Sequence, residues 1–135
     1  MTIEQIVSPE VTEPAPGMWS NCLRVGDTVY VSGLTARDKN LAATGAGEYE
    51  QARLIFSRMA ALVAAAGGSL ADVVKLTIFV TNIANREQVW KARREHFEGA
   101  FPACSLVEVR ALAPGILVEI EAVAVLHQGG RPHGG

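Results

Sequence analysis

The 135-residue sequence has only two cysteines, Cys22 and Cys104, and they lie far apart. So few thiols fit a reduced, cytoplasmic protein better than a disulfide scaffold. Long apolar runs are missing as well. Glu, Lys or Gly breaks each one well short of the ~20 residues a membrane helix needs, so no membrane partner is expected. The opening MTIEQIVSPE has neither a basic stretch nor an apolar one, and no secretory signal is expected. Neither charge sign dominates: 12 Lys plus Arg against 14 Asp plus Glu leave a net −2. That balance lacks the basic surplus with which nucleic-acid binders neutralise phosphates, so no nucleic-acid partner is expected. The three histidines, His96, His127 and His133, fall in no metal-ligand spacing.

What is present is a core. Hydrophobic residues make up 49% and charged residues 19%, which excludes a disordered chain. The length suits one domain, and neither a repeat nor a linker divides it. The reading is one domain over 1–126. The remainder, HQGGRPHGG (127–135), has no apolar residue to bury and is expected to be disordered.

Pattern places the elements. Ile3 to Val7 forms a short first strand. Trp19–Arg24 and Thr28–Ser32 are β-prone runs separated by Val25-Gly26-Asp27, a hairpin signal, and Gly33 is expected to break the second run. Leu34–Gly47 reads as a long loop, a kind often tied to function. Glu48–Ala66 repeats its apolar residues every three or four positions, as an amphipathic helix does, until Gly67-Gly68 ends it. Val74–Thr81 is a strand. Asn85 with Gln88 suggests a capping box opening a second helix to about Phe97. Cys104–Val109 and Ile116–Leu126 are the last strands. The order β-β-β-α-β-α-β-β predicts an α+β fold, a mixed sheet with two helices packed on one face.

The last strand is apolar on both sides. Ile116, Val118, Ile120, Ala122, Ala124 and Leu126 point one way; Leu117, Glu119, Glu121, Val123 and Val125 point the other. Two helices cover one face only, so the second row predicts burial against another copy, a homo-oligomer. Glu119 and Glu121 interrupt that row. A carboxylate among apolar neighbours loses hydration, its pKa rises, and it becomes suited to passing protons near neutral pH. The alternative is that each pairs with Arg or Lys across an interface. Periodicity alone favours that alternative, because structural ion pairs outnumber catalytic ones.

Phe101-Pro102-Ala103-Cys104-Ser105-Leu106-Val107-Glu108-Val109, then Pro114-Gly115 and Val118-Glu119-Ile120-Glu121-Ala122, resembles the C-terminal signature of the YjgF/RidA family. Val31-Ser32-Gly33 and the Lys75–Val80 strand resemble it in kind and order, so the likeness covers nearly the whole chain outside the tail. The resemblance implies a chorismate-mutase-like fold assembled as a homotrimer, with a central barrel of sheets and a cleft at each subunit interface. It implies hydrolysis of reactive enamines and imines to ketoacids with release of ammonia, using no metal or organic cofactor. Carried over by position, Glu119 orients the attacking water. Gly33 and Cys104 contact the ligand, Trp19 stands at the cleft wall, and Lys75 is a basic residue nearby. Trp90 and Phe97 lie on a helix that lines the neighbouring side. Two Trp and Phe97 around one cleft would favour a flat or unsaturated ligand, such as a ring-derived enamine.

One position departs from the family's pattern. The imino-acid deaminases of the family carry Arg where this chain has Cys104. The planar Arg fork grips a carboxylate through two parallel hydrogen bonds, each worth on the order of 1.5–3 kcal/mol, and a thiol cannot replace it. Cys104 is then a small inert lining, or it opens room for a different substrate whose anionic group Arg24, Arg37 or Lys75 holds, or it is a nucleophile. The function expected is hydrolytic deamination of enamines or imines with an altered substrate range. The alternatives are a non-catalytic ligand-binding or regulatory trimer and, further off, an endoribonuclease.

Overall fold

The computed structural model describes residues 2–126; the expected tail at 127–135 lies outside them. Six strands form one mixed sheet in the order β1-β2-β3-β6-β4-β5. They are β1 (Ile3–Gln5), β2 (Cys22–Val25), β3 (Thr28–Leu34), β4 (Val73–Val80), β5 (Ala103–Glu108) and β6 (Val118–Val125). Only the β4–β5 pair is parallel, and its crossover carries α2 (Arg86–His96); α1 (Glu48–Ala65) links β3 to β4. The element order and α+β class match the sequence reading.

The helix-covered face is set by alternation. Val118, Ile120, Ala122 and Ala124 of β6 are buried together with Val29 and Val31 of β3 and Leu76 and Ile78 of β4. They meet Ile55, Phe56, Met59, Leu62 and Val63 of α1 and Val89 and Ala92 of α2 in one core cluster. Each fully buried Val, Leu or Ile contributes roughly 1.5–3 kcal/mol. A one-residue slip of β6 would turn its whole row outward, so the register is strongly specified. No helix among the described residues lies over the opposite face. That face presents Tyr30, 50% exposed, and Val107, with Val123 and Val125 half-buried.

Two local expectations are corrected. Gly33 does not end β3. Val31 pairs with Ala122 and Leu34 with Ile120, so Ser32 and Gly33 together face the single Glu121: a bulge absorbs the glycine and the strand runs on. Asn85 makes no capping box. A 3-10 turn (Ile83–Asn85), capped by Asn82 Oδ1 on the Ala84 N–H (3.0 Å), leads straight into α2. The Asn85 side chain instead reaches α1, where its Nδ2 donates to Glu48 Oε2 at 2.7 Å. A capping box forms instead at Ser69 and Asp72.

Two polar ties fix the ends of α1. Arg24 of β2 donates through Nη1 to Ala66 O (2.8 Å) and through Nε to Gly26 O (2.8 Å). It supplies the cation that the last turn of α1 lacks. Gln51 is buried and bridges to the loop before β6: its Nε2 donates to Gly115 O (2.9 Å), and its Oε1 accepts from the Leu117 N–H (2.9 Å). Gln51→Ala orphans both backbone groups and is expected to lower unfolding stability by about 1–3 kcal/mol, read from denaturant titration. An unchanged midpoint would show that water satisfies them.

Candidate active site

Glu119 projects from β6 on the face without helices, opposite Phe79 of β4. The bulge in β3 brings Gly33 against it. A methyl group at Gly33 would overlap Glu119 Oε2, so this position works as glycine because the carboxylate lies on it. Trp19, Ser32, Gly33, Thr35, Arg37 and Glu119 line an open cavity of about 280 Å³. Trp19, 57% exposed, stands at its wall.

The electrostatics favour a proton-transfer role. Burial is the main cause that raises the Glu119 pKa above the ordinary carboxylate range. The like charge of Glu121 adds to the rise, and the Arg37 cation opposes it. Among the described residues the ion pairs are Arg24–Asp27 and Arg94–Glu87, so Glu119 is not locked into a salt link. A half-desolvated carboxylate beside open space can hold a water molecule and take its proton.

A narrower recess of about 60 Å³ adjoins this cavity and shares Trp19, Gly33, Thr35 and Arg37 with it. Arg58 of α1 also lines the recess. Burial lowers the Arg58 pKa, and Asp38 works against that shift.

A family model described as endoribonuclease L-PSP matches residues 11–126. The chain belongs to this family, YjgF/RidA. A 2-iminobutanoate/2-iminopropanoate deaminase of Dermatophagoides farinae is 34% identical over 93% of this chain and 99% of its own length. The human protein of that name is 31% identical over 91% and 90%. Among solved structures, a Pseudomonas aeruginosa protein of unknown function superposes with a TM-score of 0.84 at 36% identity, covering 93% of this chain and 94% of its own. RidA from the Antarctic bacterium Psychrobacter superposes with a TM-score of 0.83 at 31% identity, covering 91% and 99%.

The other positions suggested by the YjgF/RidA resemblance scatter within the chain. Cys104 of β5 lies beside Leu76 and packs against the helix-covered core, on the face opposite Glu119. Lys75 donates to Ser105 Oγ at 3.1 Å and does not line the Glu119 cavity. Trp90 is half-buried on α2, with the Arg86 and Arg93 guanidinium groups 5.6 and 5.9 Å from its ring centre. Phe97 is a core residue, 4% exposed and edge-on to Phe56. Apolar burial on the helix side holds it there, so the expected wall of two Trp and Phe97 reduces to Trp19 in this chain. Sequence reading missed Arg58. Its signal was there: it is three residues after Ile55 and four before Leu62, at the margin of the apolar stripe of α1. Among the described residues no helix is long and apolar enough to cross a membrane, and no cluster of His, Cys, Asp and Glu could hold a metal ion.

Proposed function

We propose that the protein hydrolyses reactive imines and enamines and releases ammonia. The observation that carries this reading is Glu119: a carboxylate of raised pKa, free of a salt link, at the edge of an open cavity. The naming of full-length relatives as 2-iminobutanoate/2-iminopropanoate deaminases supports it. Glu119 orients a water and accepts its proton as the water oxygen bonds to the C=N carbon. The resulting carbinolamine takes that proton on nitrogen. The C–N bond then breaks as the hydroxyl proton of the carbinolamine passes by way of Glu119 to the departing nitrogen, leaving a carbonyl compound and ammonia. An endoribonuclease reading fares worse, because 12 Lys plus Arg against 14 Asp plus Glu leave no basic surplus to neutralise a phosphodiester backbone.

The proposed assembly is a homotrimer that buries the uncovered sheet face. Support comes from the exposed apolar residues of that face and from a groove of about 350 Å³ between Trp19, Tyr30 and Val123. Trp19 lines both this groove and the Glu119 cavity, so a neighbouring copy seated there would wall the reactive space. Lys75, Trp90 and Cys104 would reach a cavity only from such a copy. With Cys104 at the family's Arg position, the substrate range is expected to differ from that of the named relatives.

The test pairs two measurements on the full chain. Ammonia release is followed from freshly generated imines and enamines, and mass is read by sedimentation equilibrium. Release by a species three times the protomer mass is expected. A monomer, or no release from any compound offered, would refute the reading.

A further inference from the structure

We infer that the Thr35 hydroxyl is a second functional group of the cavity, a hydrogen-bond donor to the C=N nitrogen of the substrate, set level with Glu119. The inference rests on the hydrolase reading and adds a partner for the nitrogen, on which charge builds as water attacks.

The register places the two groups. Leu34 of β3 pairs with Ile120 of β6, and the strands run antiparallel. One step further along each brings Thr35, the residue that follows β3, level with Glu119. Leu34 and Ile120 are both buried on the helix-covered face. Successive side chains alternate, so the next residue on each strand turns to the other face. Thr35 and Glu119 accordingly both line the open cavity of about 280 Å³. Side chains opposite one another on neighbouring antiparallel strands stand roughly 4.5–5.5 Å apart at Cβ, a spacing that lets them flank one small planar group.

Hydrogen-bond accounting then singles out Thr35. Two hydroxyls line the cavity, Ser32 and Thr35. The Ser32 hydroxyl donates its proton to Ser20 O. The Thr35 oxygen accepts from Arg37 Nε (3.0 Å), and its own proton has no acceptor among the described residues. A hydroxyl carries one proton and two lone pairs. With a cation donating to one lone pair, the O–H points away from Arg37 and becomes the stronger donor.

Arg37 is itself held in place. Its Nη1 donates to Leu41 O (2.8 Å), and Arg37 and Ala43 form a β-bridge across the loop. Leu41 has φ +65°, the one positive φ outside glycine among the described residues. A leucine kept in that conformation shows that its surroundings enforce the loop geometry.

The chemistry calls for a donor at this point. As the water oxygen bonds to the C=N carbon, the π electrons move onto nitrogen. A donor already aimed at that atom stabilises the charge without reorganising. No proton leaves Thr35: the proton that nitrogen gains is the one Glu119 took from water. The contact is made to the atom every imine shares and asks nothing of a carboxylate, which suits a chain with Cys104 at the family's Arg position. It does need a lone pair on nitrogen, so the neutral imine is the form bound.

The test uses Thr35→Val, which keeps the shape and removes the hydroxyl, and Thr35→Ser, which keeps the hydroxyl. With the imine of acetone, Thr35→Val is expected to lower kcat by about ten- to a hundredfold and to change KM less, because the bond strengthens as charge builds. Thr35→Ser should recover most of the rate. The pH at which activity climbs separates donation from a merely structural role. If Thr35 served only to hold Arg37, its loss would weaken the cation that lowers the Glu119 pKa, and the climb would move upward; donation leaves the climb where it is. Acetone oxime keeps the C=N nitrogen and its lone pair but resists hydrolysis. Its binding, titrated by NMR, should weaken several-fold in Thr35→Val. A folded Thr35→Val protein with wild-type kcat, or one whose loss comes with an upward-moved climb, overturns the inference. Should the wild type release no ammonia from any imine, the hydrolase reading falls, and the oxime titration alone decides the donor: equal binding by wild type and Thr35→Val removes it.

Discussion

Glu119→Gln is expected to lower ammonia release by roughly a hundred- to ten-thousandfold, the range for losing a positioned general base, while making the protein more resistant to heat at neutral pH. Both effects have one origin. The amide is nearly the same shape but cannot take the proton of water. The native state also holds this carboxylate above its usual pKa, so ionising it is harder in the fold than in the unfolded chain. The native advantage is complete below the ordinary carboxylate range and is lost as pH rises through the raised value. Above that value the charge opposes folding, and the amide relieves it. Activity runs the other way: it climbs with pH as Glu119 ionises. Glu121→Gln removes a charge that raises the Glu119 pKa and should shift the climb to lower pH. Arg37→Gln removes the opposing cation and should shift it upward. Rate profiles and melting curves across pH read both. A variant that keeps its rate would remove Glu119 from the chemistry.

Gly33→Ala is expected to cost on the order of a hundredfold in rate with little change in stability, because the backbone there is not in the left-handed region and the added methyl meets chiefly the Glu119 side chain. The carboxylate must swing off the strand, and the water it aimed goes with it. A double-mutant cycle makes the point sharper. In a Glu119→Gln background the same alanine should cost almost nothing further, since the group it displaces no longer reacts. Equal losses in both backgrounds would mean that Gly33 acts through something other than the carboxylate.

The strands and α1 were legible in the sequence because their information is local. Val118 to Ala122 alternates apolar and charged residues, and the α1 stripe repeats at helical spacing. Glu119 stood out as a charge in an apolar row. The role of Gly33 was not legible in structural terms, since a bulge exists only relative to a partner strand. Arg37 and Arg58 are 21 positions apart on a loop and a helix, and tertiary packing alone brings them to one recess. Asn85 carried a valid capping signal, but a longer-range bond to Glu48 won its side chain. The facing of Cys104 followed from a parallel register with β4 that no spacing within β5 encodes.

The bulge in β3 has one more consequence. Val29 and Val31 point into the core, and Leu34, three positions after Val31, points there too. Without Gly33 the leucine would fall two positions after Val31, and the strand's inward beat would continue unbroken. The extra residue therefore answers no demand of the interior. On this scaffold a change of one codon in length can open or close a reactive pocket, with the hydrophobic centre a bystander.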